Sequence, residues 1–121
     1  MLITNNPRFK DAKHIEVIYL ENACLDVFLK ARDLIHQGYK LLTHPLYGNF
    51  RNDQMYFRSL VLEENDKLDI GSLELIENAI SRCQGKKISD RYYATEKMVD
   101  DFSYIDYEII SETLRKGGLE L

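Results

Sequence analysis

The stretch HIEVIYLENACLDVFLKARDLIHQGYKLLT, residues 14–43, decides the fold. Its first part, His14 to Leu20, is rich in β-branched and aromatic residues and reads as a strand. From about Ala23 to Gln37 the period changes. Cys24, Phe28, Ala31 and Ile35 fall at i, i+4, i+7 and i+11, which is one face of a helix, and Val27 and Leu34 widen the stripe. Asn22 can cap the start, and Gly38 suits the left-handed position just past the end. Tyr39 to Thr43 then returns to strand composition. Strand, helix, strand is a βαβ unit, whose two strands run parallel through a right-handed crossover.

Working outward, Leu2 to Thr4 reads as a short strand ended by the turn formers Asn5-Asn6-Pro7. Tyr56 to Leu62 reads as another strand. The polar loop before it, Leu46 to Gln54, is too long for a tight hairpin and leaves that strand's direction open. The remainder is helical. Leu73, Ile76, Ile80 and Cys83 share a face of a helix that starts near Asp69 or Ser72 and stops at Gly85. Ser89 or Asp90 can cap a second helix carrying Tyr93, Met98 and Phe102. A last helix runs from about Tyr104 to Lys116, with Ile105, Ile109 and Leu114 inward, and Gly117-Gly118 ends it. The expected class is α/β: a single domain over residues 1–121, with a small, mostly parallel sheet of about four strands, helices packed on it and a helical C-terminal half.

Composition bounds the function. At 121 residues, 45% of them hydrophobic, the chain can bury one core. Sixteen basic against 20 acidic residues give a net charge of −4, which argues against nucleic-acid binding, since that relies on many phosphate contacts. Nothing resembles a signal peptide or a membrane span, so a cytoplasmic location and no membrane partner are expected. The two cysteines, Cys24 and Cys83, have no metal-ligand spacing and read as small buried hydrophobes. His14, His36 and His44 have no zinc-like spacing either, so no metal is expected. No G-x-G-x-x-G, Walker loop or G-x-S-x-G elbow is present, and no cofactor is expected.

Two loops are candidates for chemistry. Thr4-Asn5-Asn6-Pro7 follows the first strand, and His44-Pro45-Leu46-Tyr47-Gly48-Asn49-Phe50-Arg51 follows the third. If those strands are parallel, both loops emerge at the sheet edge where open α/β sheets bind ligands. Arg58 and Ser59 on the next strand lie alongside. A cleft lined by Thr4, Asn5, Asn6, His44, Gly48, Asn49, Arg51, Arg58 and Ser59 is neutral to basic and suits a small anionic metabolite. Each residue also has a plainer reading. The asparagines make good turns by composition, Gly48-Asn49 is a turn signal, and His44 before Pro45 can cap a strand.

The motifs Thr4-Asn5-Asn6-Pro7, Leu42-Thr43-His44-Pro45-Leu46-Tyr47-Gly48 and Arg58-Ser59 together resemble the GrdX family over most of the chain. These are small proteins encoded with glycine, sarcosine and betaine reductase systems of amino-acid-fermenting anaerobes. The resemblance implies a role near such a reductase and no particular reaction. Three readings follow. The first is a non-catalytic accessory or regulatory protein that binds a small anionic ligand or a protein of the reductase complex. The second is a small enzyme acting on a phosphate- or carboxylate-bearing substrate, with His44 as acid/base and Arg51 and Arg58 holding charge. The third is an oligomerisation module, such as a homodimer, built on the tyrosines of the C-terminal half, Tyr104 and Tyr107 among them.

Overall fold

A computed structural model describes residues 1–21, 23–47, 56–85 and 96–119. The elements are β1 (Leu2–Thr4), a 3₁₀ turn (Pro7–Phe9), β2 (Val17–Tyr19), α1 (Cys24–His36), β3 (Tyr39–Leu41), β4 (Ser59–Glu64), α2 (Ile70–Gly85) and α3 (Glu96–Lys116). The class is α/β, as expected. The sheet is mixed rather than mostly parallel.

Its order is β2-β1-β4-β3, with β1 parallel to β2 and β4 antiparallel to both β1 and β3. β2 and β3 therefore run in the same sense, as a βαβ crossover requires, but they occupy opposite edges. The helix between them must span two intervening strands. Three inter-strand steps of roughly 4.8 Å come to about 14 Å, well within the roughly 20 Å length of a 13-residue helix. The long connection after β3 lets the chain turn back, and β4 enters the slot between β3 and β1. That reversal makes the sheet mixed.

α1 and α2 cover one sheet face. Val27, Phe28, Ala31, Leu34 and Ile35 of α1 and Ile76, Ala79 and Ile80 of α2 pack on Ile3, Leu60 and Leu62. On the other face Leu2 and Val61 meet Phe9 of the 3₁₀ turn and Ile110 and Leu114 of α3. Leu2 and Ile3 thus point to opposite faces, as do Leu60 and Val61, so the two central strands are buried on both sides.

The helix ends follow local chemistry. Gly38 ends α1 at φ +102°, and a β-carbon there would lie 3.3 Å from the Asn65 carbonyl oxygen. Asn22, the expected cap of α1, lies outside the described residues, and Ala23 takes the cap position. Asp69 starts α2: its carboxylate accepts from the Ser72 backbone N–H at 3.0 Å and from Ser72 Oγ at 2.5 Å. These bonds favour the ionised form and lower the Asp69 pKa. Ser72 Oγ also accepts from the Leu41 N–H at 2.9 Å, which ties α2 to β3.

The C-terminal helix corrects the expectation most. α3 runs unbroken through Ser103 and Tyr104, where a boundary between two helices was expected; no Gly or Pro interrupts it. Its buried residues are Ser103, Asp106, Ile110 and Leu114. Ile105 is 38% exposed, so the inward face is turned away from it and includes two polar residues. Ser89, Asp90 and Tyr93 lie outside the described residues. No described helix is long and apolar enough to cross a membrane.

Candidate functional site

Topology brings Thr4, Asn5, Asn6, Arg58 and Ser59 to one end of the sheet. Antiparallel pairing sets Thr4 opposite Ser59, so the end of β1 and the start of β4 share that edge. All five side chains are buried: Thr4, Asn6 and Ser59 at 0%, Arg58 at 2% and Asn5 at 5% exposure. A buried polar group without a partner is costly, and each of these five side chains makes at least one hydrogen bond within the chain.

Thr4 Oγ1 and Ser59 Oγ lie 2.7 Å apart. Ser59 Oγ also lies 2.7 Å from Asp106 Oδ2, to which it donates. Asn6 Nδ2 donates to the same oxygen at 3.0 Å and to the Ser103 carbonyl at 2.8 Å. The Asn6 N–H donates to Thr4 Oγ1 at 2.9 Å, and Asn6 Oδ1 accepts from the Arg8 N–H at 3.1 Å. Asn5 holds the neighbouring strand: its Oδ1 accepts from the Arg58 N–H at 2.8 Å, and its Nδ2 donates to the Tyr56 carbonyl at 2.9 Å.

Tyr47 closes the cluster. Its hydroxyl donates to Asp106 Oδ1 and accepts from the Ser59 N–H at 2.9 Å. The Arg58 guanidinium stands 4.4 Å from the Tyr47 ring centroid, and its Nη1 donates to the Tyr47 carbonyl at 2.6 Å. Tyr47 packs against both core clusters, so it wraps the end of the sheet. Burial, and next the Asp106 charge, push its phenol well above the usual tyrosine pKa. The buried cation Arg58 and the buried carboxylate Asp106 are thus joined through one tyrosine.

His44 stands apart. It is exposed, and its Nδ1 accepts from the Leu46 N–H at 3.0 Å. That bond belongs to its own turn, and it does not link His44 to Asn5 or Arg58. Gly48, Asn49 and Arg51 lie outside the described residues. The cleft expected to be neutral to basic is, in its described part, a packed polar core that contains an acid.

Sequence reasoning passed over Asp106, Ser103 and Tyr47. Tyr47 lay inside the motif already singled out. Asp106 and Ser103 carried a signal as well: they fall four and seven residues before Ile110, on the helical stripe that continues to Leu114. Their polarity moved the assumed inward face to Ile105 and Ile109.

Cys24 begins α1 near this cluster. It is 2% exposed, and burial pushes its thiol up to about 12. Burial also raises the half-buried Cys83. Both are free thiols whose surroundings disfavour the reactive thiolate. Among the described residues no group of His, Cys, Asp and Glu is arranged to hold a metal ion.

No match was found among curated proteins or among solved structures. The family model described as GrdX-like protein matches residues 1–115, nearly the whole chain. On that match the chain belongs to the GrdX-like protein family.

Proposed function

We propose that this chain is a non-catalytic accessory protein of a glycine reductase system, and that it acts by binding a protein component of that system. Family membership supplies the setting. The observation that carries the reading is the closed state of the polar cluster. Catalysis needs a nucleophile, base or charge aimed at a substrate. Here Ser59 Oγ is committed to Asp106 and Thr4, the Tyr47 hydroxyl to Asp106 and Ser59, and Asn5 and Asn6 to backbone and side-chain partners. A small anion at Arg58 would also have to compete with a carboxylate already built into the cluster. The enzyme reading needs His44 in a shared cleft, and the His44 ring instead serves its own exposed turn.

The test is calorimetric titration of the purified chain with each purified glycine reductase component. A complex in the micromolar range, about −8 kcal/mol, is expected with one of them. Absence of any complex at about 100 μM, with a thermal shift from phosphate or acetate that Arg58→Met abolishes, would replace this reading with a small-anion site.

A further inference from the structure

α3 has two faces of opposite character. Ser103, Asp106, Ile110 and Leu114 point inward. Asp101, Tyr104, Ile105, Glu108 and Glu112 fall at i, i+3, i+4, i+7 and i+11 on the opposite side, and all five are exposed. Tyr104 keeps 53% and Ile105 38% of its surface accessible. Two neighbouring apolar side chains inside an acidic frame have the make-up of an interface anchor with its rim. From residue 100 to residue 112 the chain has five acids and no base. Of these, Asp106 is buried, Asp100 pairs with Arg8 at 2.9 Å and Glu112 pairs with Lys116 at 3.5 Å. Asp101 and Glu108 have no ion-pair partner among the described residues.

The Tyr104 ring is also held in advance. Arg8 is fixed by Asp100 and by Ser103 Oγ at 2.8 Å, and its guanidinium carbon lies 5.5 Å from the Tyr104 ring centroid. A side chain placed before binding loses less freedom on binding.

We propose that this outward face of α3 docks a protein partner whose contact surface is apolar at its centre and bordered by lysine or arginine. The charge selects that occupant. Two copies meeting at Tyr104 and Ile105 about a two-fold axis, with α3 antiparallel to its copy, would set Asp101 against Glu108, which opposes association. An anionic membrane or a nucleic acid would be repelled in the same way. The inference rests on the accessory-protein reading and names the surface that reading would use.

The test follows backbone amide shifts of ¹⁵N-labelled protein during titration with each reductase component, then with a synthetic amphipathic helix bearing a leucine centre and a lysine border. Asp101→Lys/Glu108→Lys and Tyr104→Ser are titrated in parallel. The thermal midpoints of both variants serve as the folding control, since exposed positions should leave them near that of the wild type. The expected result is shifts centred on residues 101–112, affinity about tenfold weaker or worse in each variant, and weaker binding at higher salt. A component that binds elsewhere, with both variants unaffected, overturns this inference and leaves the accessory reading standing. If no component binds, the accessory reading fails and the lysine-bordered helix decides alone: shifts absent from residues 101–112 overturn the inference. Wild-type self-association that Tyr104→Ser abolishes would assign the face to a second copy and also overturn it.

Discussion

Asp106→Ala should be among the most damaging single substitutions in this chain. The carboxylate is 4% exposed and accepts from Ser59 Oγ, Asn6 Nδ2 and the Tyr47 hydroxyl. Hydrogen bonds to a charged acceptor are worth roughly 1.5–3 kcal/mol each. The three do not simply add, because Ser59 retains Thr4 Oγ1 and Asn6 Nδ2 retains the Ser103 carbonyl. The Tyr47 hydroxyl loses its acceptor, and the Arg58 cation stacked on that ring loses its buried counter-charge. Removing one partner from a buried charge set costs about 3–5 kcal/mol. That is a large fraction of the roughly 5–15 kcal/mol that stabilises a typical domain. Urea unfolding followed by far-ultraviolet circular dichroism would measure it, and the melting temperature should fall by roughly 10–20 °C. Asp106→Asn keeps the shape but turns one acceptor into a donor facing donors, and should lose about 1–3 kcal/mol. A loss below about 1 kcal/mol for Asp106→Ala would refute the claim that this carboxylate organises the sheet end.

Tyr47→Phe removes one donated and one accepted bond and should lower stability by about 1–3 kcal/mol. Because the folded phenol is raised above its unfolded value, the proton it holds stabilises the fold below about pH 10 and that contribution is lost at higher pH. Spectrophotometric titration should show one late tyrosine, absent in Tyr47→Phe. Asp69 is depressed, so its contribution is present above the ordinary aspartate value of 3.8 and is lost as pH falls through its lower folded pKa. The stability gap between wild type and Asp69→Ala should therefore close on acidification below that point, as paired acid melts would show. Cys24 should resist Ellman's reagent at pH 8 in the native protein, Cys83 should react sooner, and both should react at once in urea. His44→Ala should change stability by less than about 1 kcal/mol, since its one described bond lies in an exposed turn; a larger loss in urea unfolding would show that the ring has a deeper role.

Period and composition made the elements legible. The six-residue stripe of α1 and the glycine that ends it stand in the structure as the sequence suggests. The order of strands was not legible. A βαβ unit fixes the sense of its two strands but not what lies between them, and only the pairing of β4 with both β1 and β3 makes the sheet mixed. For the site, proximity at one sheet edge was legible because the ends of β1 and β3 point the same way. Depth was not. Thr4, Asn6, Ser59 and Arg58 look like a solvated rim in sequence and are buried, because α3 places a carboxylate over them. Long-range partners such as Asn6 and Ser103, 97 positions apart, leave no local trace in sequence.

The same geometry ties together Thr4-Asn5-Asn6 at the end of β1, Tyr47, and Arg58-Ser59 at the start of β4. Thr4, Asn6 and Ser59 converge on Asp106, and Tyr47 joins that carboxylate to Arg58. Each is needed for the others to be buried at tolerable cost, since a half-satisfied polar network is worse than none. Such residues depend on one another for folding. Their function then lies one step away. By pinning α3 through Asn6, Arg8 and Ser59, the cluster fixes which side of that helix faces out. A rotation of about 100°, one residue's step, would put Ile105 in the place of Asp106. The cluster therefore determines that Asp101, Tyr104, Ile105 and Glu108 form the exposed surface, which makes the polar network the positioning device for the proposed docking face.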